Sequence, residues 1–166
     1  MKTITRTQLL VAVAVASVLT MPAGLLGQAS LTISGGPAFY DLSGTGTSAV
    51  AALRLDVPAR GPVSVQVGPS FFWYTSQGGQ TTAMLIPEVG LEVRVPRTPA
   101  YLVAGGGHTW GMRGDSEDDV VLFAGLGVKI QDRGGWSLRP QVRVHAVDPW
   151  TGSIGEFSLG LSRSMT

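Results

Sequence analysis

The chain has no cysteine and little charge. Among its 166 residues Asp, Glu, Lys and Arg together make up 14%. The absence of thiols excludes disulfides, thiolate nucleophiles, cysteine-type zinc sites and a lipidated cysteine anchor. Lysine occurs only at Lys2 and Lys129, whereas soluble protein surfaces usually carry many lysines among mixed charges. The composition therefore disfavours an ordinary soluble surface.

The sequence also lacks an apolar run long enough to form a transmembrane helix. The apolar segment at residues 9–19 is shorter than the ~20 residues that a helix needs to cross a bilayer. Lys2 and Arg6 precede it, and the small-x-small run Gly27-Gln28-Ala29 follows, a pattern typical of a cleaved signal peptide. We therefore predict a signal peptide at residues 1–29 and one domain at residues 30–166.

The predicted domain carries no basic field. Cleavage would remove two of the 12 basic residues and leave the rest close to balance with the 11 acidic ones. A nucleic-acid-binding surface usually needs clustered Lys and Arg. The sequence therefore predicts no nucleic-acid partner.

The domain has the pattern of eight β-strands and no helix. Apolar and polar residues alternate with the period of two that is typical of a strand. The predicted strands are residues 31–40, 48–57, 62–74, 82–95, 100–112, 119–131, 136–147 and 154–163. Short turns rich in Pro, Gly and Asp alternate with longer polar loops, as in an up-and-down meander, and an even strand number allows closure without a free edge.

Prolines inside three of these segments oppose a continuous ladder. Pro69, Pro87 and Pro140 have no backbone N–H to donate, so we expect them at bulges or near strand ends.

The two faces of the predicted strands differ in polarity, and their direction decides the fold class. The apolar face, followed as far as Leu161 of the last strand, carries no charge. The polar face balances arginine against carboxylates, as buried charges require partners. We therefore predict that the apolar face contacts lipid and that the polar face forms a structural network inside a transmembrane β-barrel. This predicted interior polar network consists of Arg54, Asp56, Glu88, Glu92, Arg94, Lys129, Arg139, Arg143, His145 and Glu156.

Aromatic residues lie near several strand ends, where membrane barrels carry interfacial girdles. We assign this role to Trp73, Tyr74, Tyr101 and Trp136; ordinary core packing is the alternative.

The fifth strand has an ambiguous parity, because Gly105-Gly106-Gly107 fits either face. We expect Tyr101 and Val103 to face lipid and His108 and Trp110 to face inward.

This organisation resembles the small eight-stranded outer-membrane β-barrels of Gram-negative bacteria, the OmpA- and OmpX-type proteins. The alternating Phe157, Leu159 and Leu161 resemble the last strand of that family, although this chain lacks the terminal aromatic residue. The resemblance implies an outer-membrane location with the longer loops facing outside the cell.

An eight-stranded barrel is narrow enough for side chains to fill. We therefore predict an integral outer-membrane protein, monomeric and surrounded by lipid, with a structural or surface-interaction role through its polar loops. We predict no catalytic residue, cofactor or metal. A soluble lipocalin-like barrel that binds a small apolar ligand, a lipid-modifying enzyme centred on His145 and a narrow pore remain alternatives.

The predicted loop that begins at Arg113 contains Arg-Gly-Asp-Ser followed by three more acidic residues. The tetrapeptide resembles an integrin-recognition string, but strings this short occur by chance. The carboxylates lack the ligand spacing of an EF-hand, so we expect a solvated acidic loop.

Overall fold

The computed structural model describes residues 29–40, 46–76, 81–113, 119–131, 134–148 and 152–165. The predicted signal peptide lies outside these residues except for Ala29, and so does most of the predicted acidic loop. Ten strand segments are present: β1 (Ser30–Tyr40), β2 (Gly46–Pro58), β3 (Val63–Ser76), β4 (Thr81–Arg94), β5 (Ala100–His108), β6 (Trp110–Arg113), β7 (Val120–Val128), β8 (Ile130–Gln131), β9 (Trp136–Val147) and β10 (Gly152–Ser164). Thr109 separates β5 from β6 and Lys129 separates β7 from β8. The ten segments therefore form eight continuous strands of the barrel, which we call staves: β5 with β6 is one stave, and β7 with β8 is another.

The staves close into an antiparallel barrel. Each stave pairs with its sequence neighbours, and β10 pairs with both β9 and β1. Ser30 lies opposite Ser164, and the Met165 amide donates to the Ala29 carbonyl at 2.8 Å. The predicted all-β, eight-stranded antiparallel barrel is therefore confirmed. Within the described part of the chain no helix is long and apolar enough to span a membrane.

The barrel has two distinguishable ends. Both described chain termini lie at one end of the barrel, together with the turns after β2 and β4 and the last residue of β8, and we call this the turn end. The last residues of β1, β3, β6 and β9 lie at the opposite end, which we call the loop end.

Prolines lie within the staves without shifting their register. Between β2 and β3, for example, pairing stops after Ala52–Ser70 and resumes at Leu55–Val67, with the same register on both sides of Pro69. Equivalent gaps occur in one ladder beside three other strand prolines, Pro37, Pro87 and Pro140. Pro58 is the last residue of β2 and keeps its pairing with Ser64. Because a proline cannot donate to a ladder, each of the four interior prolines removes pairing locally, and neither a bulge nor a strand end is needed at these positions.

The distribution of polarity is the reverse of that in a soluble protein. Arg143, His145 and Glu156 have 0% of their surface exposed, whereas Leu126 and Phe157 are 59% and 57% exposed. The outward face of the described strands is dominated by Val, Leu, Ile, Phe and Trp, and the inward face carries Arg, Asp, Glu, Gln and Ser. A contiguous exposed apolar surface of this kind marks an interaction with lipid or protein.

The expected parity of the fifth strand is wrong. Tyr101 and Val103 are buried inside the barrel, and Leu102 and Trp110 are exposed outside. The Tyr101 ring lies over Gly127, its partner on β7, where a Cβ atom would collide with the ring. Tyr101 therefore fits inward because the neighbouring stave offers a residue without a side chain.

Candidate functional site

The candidate site is the barrel interior, where buried charged side chains of the described residues form hydrogen bonds across the lumen. The group of charges nearer the turn end is arranged around Arg139 of β9. One Nη atom of Arg139 lies 2.5 Å from Asp56 Oδ2, and the other binds Glu92. The Tyr101 ring lies beneath the guanidinium, 4.5 Å from its carbon, and Gln66 donates to Asp56 at 2.6 Å. Both carboxylates are thereby held by a single arginine.

A second group of charges lies closer to the middle of the barrel. Arg54 on β2 donates to Glu156 at 3.2 Å and to the Ser34 hydroxyl at 2.7 Å. Arg143 on β9 donates to Glu88 at 2.9 Å and also binds the side-chain oxygen of Gln66. These are charge-assisted hydrogen bonds, which are the stronger class.

His145 completes this group. Its Nε2 lies 3.1 Å from Glu88 Oε1 and 3.9 Å from Glu156 Oε2. The ring packs against Phe72 and Phe123, and its buried Nδ1 has no hydrogen-bond partner among the described residues. A Ser–His–carboxylate site requires a hydroxyl on one ring nitrogen, and the described residues place none there. The arrangement does not form a hydrolytic triad.

The paired residues come from strands that are not neighbours in the sheet. Glu88 and Arg143 lie on β4 and β9, with the staves of β5 and β7 between them. Asp56 and Arg139 lie on β2 and β9, with β1 and β10 between them. The ion pairs therefore bridge the barrel lumen, a feature that only closure of the sheet creates.

Charge within this interior is close to balance. The fully enclosed set contains three guanidinium groups and four carboxylates, and Lys129 is half-buried beside it. Burial of an ion is costly unless a partner and hydrogen bonds compensate it. Each of the enclosed carboxylates lies within 4 Å of at least one guanidinium group.

Arg94 differs from the other predicted members of the network. It ends β4 and is exposed, because the stave leaves the enclosed part of the barrel there. Together with Lys129 it borders a cavity of about 50 Å³ at the turn end, whose other lining residues are Ser30, Asp56, Pro58, Ser64, Glu92 and Ser164. Arg94 therefore belongs to the mouth of the barrel, and the expectation that it lies inside is wrong.

An apolar layer fills the interior toward the loop end. Its members are Ala38, Val50, Phe72, Met84, Ile86, Val121, Val147 and Ile154. This layer follows directly on the charged residues, since Phe72 contacts the His145 ring with a centroid distance of 5.4 Å. The inside of the barrel is thus charged in the middle and apolar near the loops.

Sequence reasoning missed this apolar layer, although a signal for it exists. Phe72 has the same parity as Ser70, and Ile86 and Met84 have the same parity as Glu88. Following each polar face to the loop end of its strand would have assigned these apolar residues to the interior.

The aromatic residues predicted at the interfaces occupy different environments. Trp73 near the loop end and Trp136 at the turn end are exposed on the outer face. Tyr74 is half-buried. Tyr101 is fully buried and hydrogen bonded to Gln141 at 3.1 Å, so its assignment to the lipid interface is wrong.

The interior His, Asp and Glu side chains are also the candidates for metal ligands. No group of three His, Asp or Glu side chains in the described ranges is arranged to hold a metal ion. Glu156 and Glu88 already serve as ion-pair partners of Arg54 and Arg143.

Solved structures with the same architecture were found by comparison of the folds. The crystal structure of Neisserial surface protein A matches with a TM-score of 0.57 and 14% identity, over 83% of this chain and 97% of that one. The Yersinia pestis outer membrane protein Ail, determined in a phospholipid bilayer nanodisc, matches with a TM-score of 0.50 and 14% identity, over 82% and 98%. The chain has the fold of a small outer-membrane β-barrel. No family model and no curated protein sequence matches it.

Proposed function

We propose that this protein is an integral barrel of the bacterial outer membrane whose interior is plugged by its own side chains. In this role the apolar outer face contacts lipid, and the polar loops provide the surface for partners outside the cell. The single observation that carries the proposal is the reversed polarity of the barrel, in which arginine and glutamate are enclosed while leucine and phenylalanine are exposed.

The apolar surface that a soluble barrel would expose to water supports the membrane location. A lipocalin-like barrel keeps its apolar face inside for a ligand, whereas here Ile33, Leu126 and Phe157 all expose more than half of their surface. Monomeric soluble proteins rarely expose large contiguous apolar patches. Lipid removes this apolar surface from water, and barrel closure satisfies the backbone as lipid requires.

A structural role of the interior is supported by its contacts. The arginines and carboxylates bind one another across the lumen, and the histidine forms a hydrogen bond with Glu88 and lies 3.9 Å from Glu156. Side chains that are committed to ion pairs fill a narrow barrel and leave no wide passage. We therefore assign the protein no enzymatic activity and no general-porin activity.

Membrane fractionation tests the proposed location. We expect the full chain, expressed in a Gram-negative host, to remain in the outer-membrane fraction after carbonate extraction. We also expect its gel mobility to change on boiling, because a closed barrel resists unfolding in detergent until it is heated. A mature chain that is soluble without detergent would contradict the proposal, and a membrane-bound chain with unaltered mobility would contradict a closed barrel.

A further inference from the structure

Arg163 stands out on the otherwise apolar outer face. It continues the outward parity of Phe157, Leu159 and Leu161 on β10, and it is exposed. Among the outward-facing strand positions whose side chains the structure describes, it is the only Asp, Glu, Lys or Arg. A charge on the lipid-facing surface is tolerated near an interface and costly near the bilayer centre, which agrees with the position of Arg163 at the turn end.

An exposed tryptophan accompanies this arginine. Arg163 pairs with Trp136 across the β9–β10 ladder, and its guanidinium carbon lies 5.3 Å from the centroid of the indole ring. This distance is within the range of a cation–π contact. The ring therefore holds the guanidinium beside the barrel wall.

An apolar row runs beside this pair, one step further from the turn end. Leu161 pairs with Leu138 on one side and with Ile33 on the other, and Leu138 also pairs with Ile130. All four side chains expose between 41% and 65% of their surface. The arginine thus lies at the edge of a wall that suits acyl chains.

The charges at this end of the barrel favour an anionic ligand. No carboxylate of the described residues lies within 4 Å of the Arg163 guanidinium. Exposed Arg60, Arg94 and Arg97 lie at the same end, and the two described acids nearby, Asp56 and Glu92, are buried and bound by Arg139. Guanidinium groups bind phosphate oxygens in a planar, bidentate manner.

We propose that Arg163 and Trp136 form a binding site for the phosphate headgroup of an anionic phospholipid. The acyl chains of this lipid would lie on Ile33, Ile130, Leu138 and Leu161. The site rests on the proposed membrane location, because a lipid reaches it only from the surrounding leaflet. The apolar row distinguishes this ligand from free phosphate. Among the described residues no exposed carboxylate lies beside Arg163, which disfavours a zwitterionic headgroup with its ammonium group.

Fluorescence quenching by brominated lipids tests the site. The full chain with W73F, W110F and W150F keeps Trp136 as its single tryptophan. This variant is folded into phosphatidylcholine vesicles that contain equal mole fractions of either brominated phosphatidylglycerol or brominated phosphatidylcholine. We expect a relative association of the anionic lipid at Trp136 of about fivefold over the zwitterionic lipid, the size of one basic residue at an anionic surface.

Matched variants separate the contribution of Arg163 from that of the bulk membrane. Arg163→Gln should remove the preference, and Arg163→Lys should retain most of it, with folding of both verified by gel mobility before and after boiling. A second background, W110F with W136F and W150F, reports from Trp73 near the loop end, where the R163Q change should have no effect.

The possible results have distinct meanings. Equal quenching of Trp136 by both lipids, or a preference that persists in R163Q, would overturn the lipid site while the membrane location stands. An absence of quenching by either brominated lipid would instead overturn the proposed function. A preference that is lost in R163Q and retained in R163K supports the site.

Discussion

Individual side chains inside the barrel depend on one another for charge compensation. Arg139 is the clearest case, since it alone holds both Asp56 and Glu92. Replacement of Arg139 by Met would leave both buried carboxylates without the guanidinium that compensates their charge. Removal of one member of a buried ion pair typically costs about 3–5 kcal/mol. We expect R139M to lower the free energy of unfolding by this amount, measured by urea titration of the barrel folded in vesicles.

An exposed arginine provides the matched control for this substitution. Arg60 lies in the turn between β2 and β3 and is exposed, so R60M should change the free energy of unfolding by less than about 0.5 kcal/mol. Addition of D56N to R139M should cost less than the sum of the two single changes, because the paired residues share one interaction. Equal destabilisation by R139M and R60M would show that the interior network does not contribute to stability.

At the scale of the strand, β5 is the one whose inward and outward side chains were predicted the wrong way round. Leu102 and Ala104 are exposed on the outer face, and Tyr101 and Val103 are buried. Because the chain has no cysteine, single cysteines can be introduced without background. We expect Leu102→Cys in bilayer vesicles to be labelled at least tenfold more by a lipid-soluble diazirine than Val103→Cys, because the photogenerated carbene inserts without needing a thiolate and only the outer face is open to the lipid phase.

The neighbouring strand β7 supplies a control with an unambiguous pattern. Leu122 is exposed and Val121 is buried, so cysteines at these two positions calibrate the labelling of the outer and inner faces. Stronger labelling of Val103→Cys than of Leu102→Cys would contradict the structure and agree with the parity expected from the sequence.

The staves differ in how far their facing could be predicted from sequence. In β4, Glu88 and Glu92 alternate with Val89, Leu91 and Val93, and in β9 Arg143 lies between Val142 and Val144. The period of two is sufficient to assign the faces of these segments. In β5 the run of glycines carries no facing information, and the position of the Tyr101 ring is decided by Gly127 on another strand. The partner of each interior charge was equally unpredictable, because Glu88 and Arg143 meet only across the closed lumen.

For the whole molecule, the interior consists of two successive layers. Charged groups bridge the lumen in the middle, and the apolar layer around Phe72 and Ile86 lies between them and the loops. Water is poorly accommodated among apolar side chains, and ions would have to displace committed ion pairs further in. We expect the folded protein in a planar bilayer to give no conductance steps above the lipid baseline, with insertion verified by a boiling-dependent gel shift of the recovered protein.

A double substitution separates the contributions of the apolar and the charged layer to blocking the passage of ions. Phe72→Ala with Ile86→Ala opens the apolar layer but leaves the ion pairs of Arg54 and Arg143 in place, so we expect conductance to stay at the baseline. Steps that appear only in the double variant would assign the barrier to the apolar layer alone. Steps in the unaltered protein would contradict the plugged interior and favour a narrow pore, whereas silence in both agrees with ion pairs that close the lumen by themselves.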